Sequence, residues 1–333
     1  MKILVSKIIM ITTVLFSFQL FSGEPSVSNT DTKNNNNKTK TAIPLTNKFD
    51  LKGIEISGFN ADKIFIVKGA KDSLTVEFSW GFTNKEKSAD EHPILNQYLQ
   101  TRKLSILNID AFSGFASVSF SDKPELFGSY ENGLGFFGRL KYWLRGTSGV
   151  TSTDTLIVYV PDNCKIKTSN KYCDYSIKDL RNDFEFNDVN GEMDIQNLTG
   201  NLNVNGNMDI KVTGIAGNSE INSSYGIFSF SNGTGNLKIA NDYGEISIED
   251  WNGKIDIEAE SSKLSMKNLK TGRLDFEGDY SDITVENITG LNMLNIVSSN
   301  STLKVRNTKL FTFRGKPIKL INLDTGEKTI IGK

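Results

Sequence analysis

The chain of 333 residues reads as an all-β protein, a parallel β-helix or solenoid of two-strand coils of about 18–19 residues with a short helical insertion. Three observations predict it. Apolar–polar–apolar triplets recur every nine or ten residues from Asp154 to Val305. Turn residues, mostly Gly, Asn, Ser or Tyr, punctuate them at a constant offset. Val, Ile, Thr and Phe are frequent and Pro is scarce, as strands and tight turns require.

The register follows from one slot in the turn. Slot residues run Gly226, Gly235, Gly244, Gly253, Ser262, Gly272 and Ser281, and an apolar pair sits two and four residues after each. The pairs include Phe228/Phe230, Leu237/Ile239, Ile246/Ile248, Ile255/Ile257, Leu264/Met266, Leu274/Phe276 and Ile283/Val285. A mostly polar residue separates the members of each pair, which marks a strand with one buried face. Backwards, the slots continue at Gly217, Met208, Gly200, Gly191, Asn182, Cys173, Cys164 and Asp154; forwards, Leu294/Ile296 and Leu303/Val305 extend the run. Ile54/Ile56, Ile64/Ile66 and Leu74/Val76 follow the same pattern nearer the N-terminus.

The slots alternate between two sets. Tyr172, Asn190, Asn207, Tyr225, Tyr243, Ser261, Tyr280 and Asn300 precede one set, and Thr199, Thr234, Asn252 and Thr271 precede the other. One coil therefore holds two strands and two turns, and only stacked coils bury the apolar pairs. Stacking places like over like at about 4.8 Å, so the tyrosines are expected to form a partial aromatic ladder.

Val158-Tyr-Val-Pro-Asp162 leading into Gly-x-apolar-x-apolar units from Gly191 to Val305 resembles the adhesin-like family of β-strand-repeat (β-solenoid) proteins. The resemblance covers about two thirds of the chain, including residues 49–78. It implies an exported, right-handed parallel β-solenoid and carries no catalytic residues. Ser at 262 and 281 and Met208 depart from the Gly of the motif.

Lys2 and Lys7, an apolar run from Ile8 to Phe21 and then Ser22-Gly23 make residues 1–23 an expected secretory signal. The run is shorter than the roughly 20 residues that span a bilayer. No Cys follows it for lipid attachment, and large residues at the cleavage site leave an uncleaved anchor as the alternative. Residues 24–47 are polar and low in complexity and are expected to be a disordered linker. The solenoid is expected over 48–320, with 321–333 as a tail or last coil.

The rhythm weakens over 81–150. Asp90 is positioned to cap a short helix carrying Ile94, Leu95, Tyr98 and Leu99, whereas Leu104/Ile106 and Val118/Phe120 read as strands. Phe136, Phe137, Leu140, Trp143 and Leu144 fall on one face of an expected helix over 135–145, flanked by Arg139, Lys141 and Arg145. As a lid this helix covers apolar rungs; as an interfacial helix it offers Phe136, Phe137, Trp143, Arg139 and Arg145 to a membrane or partner.

Chemistry is sparse. A net charge of −1 leaves no electrostatic footprint for nucleic acid. His92 is the one histidine, and no Walker loop or helix-opening GxGxxG occurs, so no cofactor or metal site is expected. Asp and Glu residues are abundant at outward and turn positions, where they serve the local backbone. Were the protein an enzyme, Asp256 and Asp275 would be the candidates, one coil apart and side by side, with Lys238 one coil earlier. Sequons at Asn197, Asn232 and Asn287 fall at equivalent corners and are explained by turn chemistry. Cys164 and Cys173 occupy successive slots. Opposite corners of a coil lie roughly 12–20 Å apart, beyond the ~7 Å reach of a disulfide, so two thiols are expected.

The sequence thus supports a non-enzymatic, exported scaffold of the cell envelope or surface, with a bacterial source favoured. Its partner, whether surface, protein or glycan, is not legible, and neither is the oligomeric state. The alternatives are a carbohydrate-active enzyme on a parallel β-helix and an envelope sensor with a membrane partner. The register makes one direct prediction. Ile255→Ala is expected to lower unfolding free energy by about 2–5 kcal/mol, while Lys254→Ala is expected to be nearly neutral; equal losses in urea denaturation would disprove the register.

Overall fold

The computed structural model describes residues 37–44, 51–57, 62–71, 73–80, 82–84, 106–112, 115–121, 150–152, 154–170, 172–289, 293–308, 312–314 and 316–332. Across them the chain is a β-solenoid of about eight turns with coils of about 18 residues, and no helix occurs among these residues. The expected signal segment, His92, the helix after Asp90 and the helix over 135–145 lie outside the described residues.

Each coil contributes one strand to each of two faces. On one face, Leu237 stands over Ile255, and Ile255 over Leu274, in parallel register. On the other, Phe228 is followed by Ile246, Leu264, Ile283 and Leu303. Ile246, Ile255, Leu264 and Leu274 are all buried, as the triplets predict. In the middle of the solenoid the strands run through a corner and join the faces, as in Asp183–Thr199, Leu202–Ala216, Ser219–Thr234 and Leu237–Glu249.

The corner that leaves the second face is built from one repeated device. Asp179, Asn197, Gly214, Asn232, Asp250, Asn268, Asn287 and Asn307 all have φ between 46° and 76°. Asn and Asp tolerate this left-handed region better than other side chains. Their side chains also bond along the stack: the Asn197 amide donates to Asp179 (2.7 Å), Asn287 to Asn268 (3.1 Å) and Asn307 to Asn287 (3.3 Å). The sequon asparagines therefore belong to a structural ladder. Three residues further on, Gly200, Gly217, Gly235 and Gly253 lie against the previous coil. A Cβ at any of them would come within 2.0–2.2 Å of a backbone carbonyl oxygen.

At the opposite corner the slots change chemistry. Ser262, Ser281 and Ser301 are buried where earlier coils use Gly. The Ser262 N–H donates to the Ser281 hydroxyl (3.3 Å) and the Ser281 N–H to the Ser301 hydroxyl (3.0 Å), so the later two hydroxyls each serve the preceding coil, whereas the Ser262 hydroxyl donates to Glu260 O (2.8 Å) in its own. Met208 is buried opposite Gly191, and the positive φ moves to Gly206 (151°) beside a register shift after Asn187.

Three features of order differ from a simple succession of coils. Lys63–Lys68 pairs in parallel with Thr155–Val160 on one side and with Asp174–Leu180 on the other. Gly53–Ser57 lies between Phe115–Ser121 and Lys165–Thr168. The chain from 155 to 180 thus skips a rung, and the coil at 53–68 fills it. Second, Leu74 and Val76 are buried as expected, but their strand, Ser73–Trp80, runs antiparallel to Thr155–Val160. A chain that turns straight back after Lys68 re-enters the same face reversed, whatever its apolar spacing. Third, Asn37–Pro44, within the stretch read as disordered linker, is a strand antiparallel to Ser73–Trp80. An open sheet edge supplies backbone partners even to a polar segment.

Both ends of the stack close with antiparallel strands. Ile106–Phe112 folds back on Phe115–Ser121 at one end, and Lys328–Ile331 returns on Ile318–Asn322 at the other. The segment between residues 84 and 150 leaves from a short antiparallel pair, Phe82–Asn84 with Val150–Ser152. Cys164 and Cys173 are buried, and no disulfide joins them.

Stacking also explains one outsized residue. Leu180, Leu198, Ile215, Gly233, Trp251, Leu269 and Ile288 each follow the left-handed corner residue. Trp251 is buried, donates its indole N–H to Gly235 O (2.9 Å) and meets Phe230 edge-on at 6.0 Å. A Cβ on Gly233 would lie 2.0 Å from the indole ring. Gly233→Leu and Trp251→Leu are each expected to destabilise, the first by overpacking and the second by a cavity. The double variant places Leu at both rungs, between Ile215 on one side and Leu269 on the other. A double-mutant cycle in urea should give a favourable coupling of about 1–3 kcal/mol; simple additivity would refute the compensation.

Candidate functional site

Two surfaces rise above the repeat: a carboxylate-bearing groove on the first face and a row of tyrosines at the corner between that face and the second.

The groove runs across outward residues between the apolar pairs. Asn203, Glu220, Lys238, Asp256 and Asp275 stand in consecutive register. A depression of about 410 Å³ is lined by Asn203, Glu220, Lys238, Lys254 and Asp256. Asp256 and Asp275 are side by side, as the spacing predicts. Their charges are already engaged: Lys254 lies 3.2 Å from Asp256 and 3.9 Å from Asp275, and Arg273 Nε donates to Asp275 at 2.5 Å. That hydrogen bond and the adjacent negative charge raise the Arg273 guanidinium further above its ordinary value. Lys238 faces Asp256 in register, and its ammonium reaches Glu220 at 3.7 Å. A glycosidase pair needs one carboxyl poised as acid and another as base or nucleophile. Here Lys254 and Arg273, each just before an apolar pair, serve both carboxylates, an arrangement suited to holding coils together. The sequence placed the two aspartates correctly but did not foresee Lys254 and Arg273, because both sit one residue outside the triplet.

Balanced charge recurs along both faces. Lys165 and Lys167 flank Glu185; Lys263 meets Glu245 at 3.3 Å, Lys267 meets Glu249 at 3.5 Å and Arg306 meets Glu286 at 3.4 Å. Hydrogen bonds from Lys165 and Asn187 hold the Glu185 carboxyl down at about 2. Polar ladders fill the gaps: Asn222 donates to Asn205 (3.0 Å) and Asn205 to Asn187 (3.3 Å).

The buried thiol offers no nucleophile. Burial pushes Cys164 up to about 11, and the Asn182 amide donates to its sulfur at 3.3 Å and to Cys164 O at 2.9 Å. Among the described residues no three His, Cys, Asp or Glu side chains gather as a metal site. Phe136, Phe137, Arg139, Trp143 and Arg145 lie outside the described residues.

The tyrosine corner is different. Tyr172, Tyr225, Tyr243 and Tyr280 are 63%, 60%, 48% and 68% exposed. Tyr225 and Tyr243 occupy adjacent rungs and stack with ring centroids 5.4 Å apart and planes 15° from parallel. This is the expected aromatic ladder, interrupted at Ser261. Tyr172 and Tyr280 have φ of 58° and 54°, a region that a bulky side chain seldom adopts. Asn300, at the same corner, has φ 53°. Exposed carboxylates border the row on both sides: Asp242 and Glu260 before it, Glu245 and Asp282 after it.

The fold is thus a β-solenoid that carries an exposed aromatic row along one corner. No family model and no curated protein matches the chain. Among solved structures it is similar to a candidate lipid-binding protein of Parabacteroides distasonis, at 11% identity over 87% of this chain and 98% of that one, with a TM-score of 0.43. It is similar to a candidate adhesin of Parabacteroides merdae, at 12% identity over 87% and 99% of the two chains, TM-score 0.36. A candidate cell-adhesion protein of Clostridium sporogenes is similar at 8% identity over 74% and 98%, TM-score 0.25. Scores this low carry no inference about ligand or activity, and the β-solenoid assignment stands on the strand register.

The carboxylate of Glu185 generates a pH test. Its folded value is depressed from 4.5, so its contribution is complete above about 4.5 and is lost as pH falls toward about 2. Glu185→Gln is expected to be less stable than the parent at pH 6, with the gap closing between about pH 4.5 and pH 2. A gap in urea midpoint that stays constant across that window would assign the loss to packing instead.

Proposed function

We propose that this chain is an exported, non-enzymatic β-solenoid, right-handed in its winding, that serves as an adhesin-like interaction scaffold at a bacterial cell envelope or surface. The observation that carries this reading is the exposed tyrosine row at a corner of an otherwise charge-balanced stack. Faces whose lysines, arginines and carboxylates satisfy one another give a stiff rod with little free chemistry. Four large aromatic side chains left in solvent give that rod something to bind with. Export rests on the pattern of residues 1–23, and contact with a membrane through residues 135–145 belongs to the same proposal. The register of Asp256 with Asp275 keeps a carbohydrate-active enzyme as the second reading.

Fractionation of the native organism, with sequencing of the mature N-terminus, is expected to find the chain in the envelope or medium. The purified full chain should be retained on intact cells or extracellular material without releasing reducing sugar. A cytoplasmic location or absence of retention would sink the scaffold reading. Sugar release abolished by Asp275→Asn would favour the enzyme.

A further inference from the structure

The tyrosine row carries an inference about ligand class that rests on the scaffold reading. We infer that it is a binding site for a neutral, hydroxyl-rich glycan chain, with Tyr243 and Tyr280 clasping one sugar ring above Ser261.

Strain is the first reason. A left-handed backbone disfavours a bulky side chain by about 1–2 kcal/mol, yet Tyr172 and Tyr280 adopt it at φ 58° and 54°. The fold has an easier solution at this very corner, Asn300 at φ 53°. Burial does not account for the tyrosines, because about two thirds of Tyr172 and Tyr280 stays in solvent. Strain held at an exposed position points to a use for the side chain.

Spacing is the second reason. Tyr243, Ser261 and Tyr280 stand on three consecutive rungs, as Gly244, Ser262 and the residues that follow them pair in register. Rungs repeat at about 4.8 Å, so Tyr243 and Tyr280 are about two repeats, or ~9.6 Å, apart along the stack. A ring held midway would lie about 4.8 Å from each, within the ~4.5–7 Å over which ring systems pack. The small Ser261 leaves that space open. One rung before Tyr243, Tyr225 stacks on it and extends the apolar platform for the next unit of a chain.

Polarity selects the ligand. Asp242, Glu260 and Asp282 border the row, Glu245 beside Tyr243 is paired with Lys263 at 3.3 Å, and one oxygen of Asp279 is taken by the Ser299 N–H at 2.7 Å. Carboxylates accept hydrogen bonds from hydroxyls and repel anionic polymers. The apolar strip is one side chain wide apart from Ile227 beside Tyr225, too narrow for the roughly 800 Å² per partner of a stable protein interface. A linear saccharide has the matching cross-section: an apolar ring face for the tyrosines and equatorial hydroxyls for the carboxylates.

The test uses the full chain with a panel of neutral polysaccharides (β-glucan, α-glucan, mannan, galactan), with polygalacturonate as the anionic control and choline as a cationic competitor. Binding to at least one neutral polymer is expected, insensitive to salt between 50 and 500 mM. Tyr243→Ala and Tyr280→Asn should each weaken it at least tenfold. Tyr280→Asn should melt no lower than the parent, because Asn tolerates the left-handed corner; this separates loss of binding from loss of fold. No neutral polymer bound, binding unchanged in the double variant, or binding displaced by choline would each overturn the glycan site. If the double variant still adheres to cells as the parent does, the glycan site falls and the scaffold reading stands. If the parent itself fails to adhere, the scaffold reading falls with it.

Discussion

The structure depends on one constraint: each coil sits in register on the next, so every side chain meets its counterpart one rung away. Backbone hydrogen bonding between parallel strands sets the spacing. An apolar triplet one coil long cannot bury itself, but its neighbours above and below complete the core. The same constraint governs the corners. Asparagines recur where the backbone turns left-handed, because there the side chain both tolerates the turn and bonds to its counterpart. Glycines recur three residues on, because there the neighbouring carbonyl leaves no room for a Cβ.

The constraint also couples substitutions. In an ordinary core a tryptophan is accommodated by many neighbours. In a stack, the room for Trp251 comes chiefly from the rung before it, where Gly233 surrenders its side chain. Serines at 262, 281 and 301 show the polar version of the same coupling, with the hydroxyls of Ser281 and Ser301 each accepting from the N–H of the preceding coil's serine. Changes along the column are therefore correlated, and a departure such as Met208 is matched by moving the flexible residue to Gly206.

A regular stack tends toward chemical silence. Outward side chains one rung apart either repel or pair, and in this chain they mostly pair, as Glu185 does with Lys165 and Lys167. Asp256 and Asp275, the two carboxylates that most resemble a catalytic pair, are bound into the same scheme by Lys254 and Arg273. Against that background the tyrosines stand apart. They are exposed, two of them are strained, and the stacked pair Tyr225 and Tyr243 still leaves about half or more of each side chain in water. Specificity on a repetitive scaffold arises where the repeat is broken, and Ser261 between Tyr243 and Tyr280 is such a break.

The sequence by itself determined the coil length, the buried pairs, the corner types, the adjacency of Asp256 and Asp275 and the separation of Cys164 from Cys173. All of these are local, since a strand and its turn are specified within nine or ten residues and repetition turns that into register. Only the tertiary structure decided the order of rungs. The triplet Ile64-Phe65-Ile66 satisfies any rung equally well, so nothing in it says that it will sit between Thr155–Val160 and Asp174–Leu180. The reversal of Leu74 and Val76, the pairing of the polar segment Asn37–Pro44 and the returning strand Lys328–Ile331 share one cause. Open edges recruit backbone, and backbone pairing leaves almost no mark on side-chain pattern.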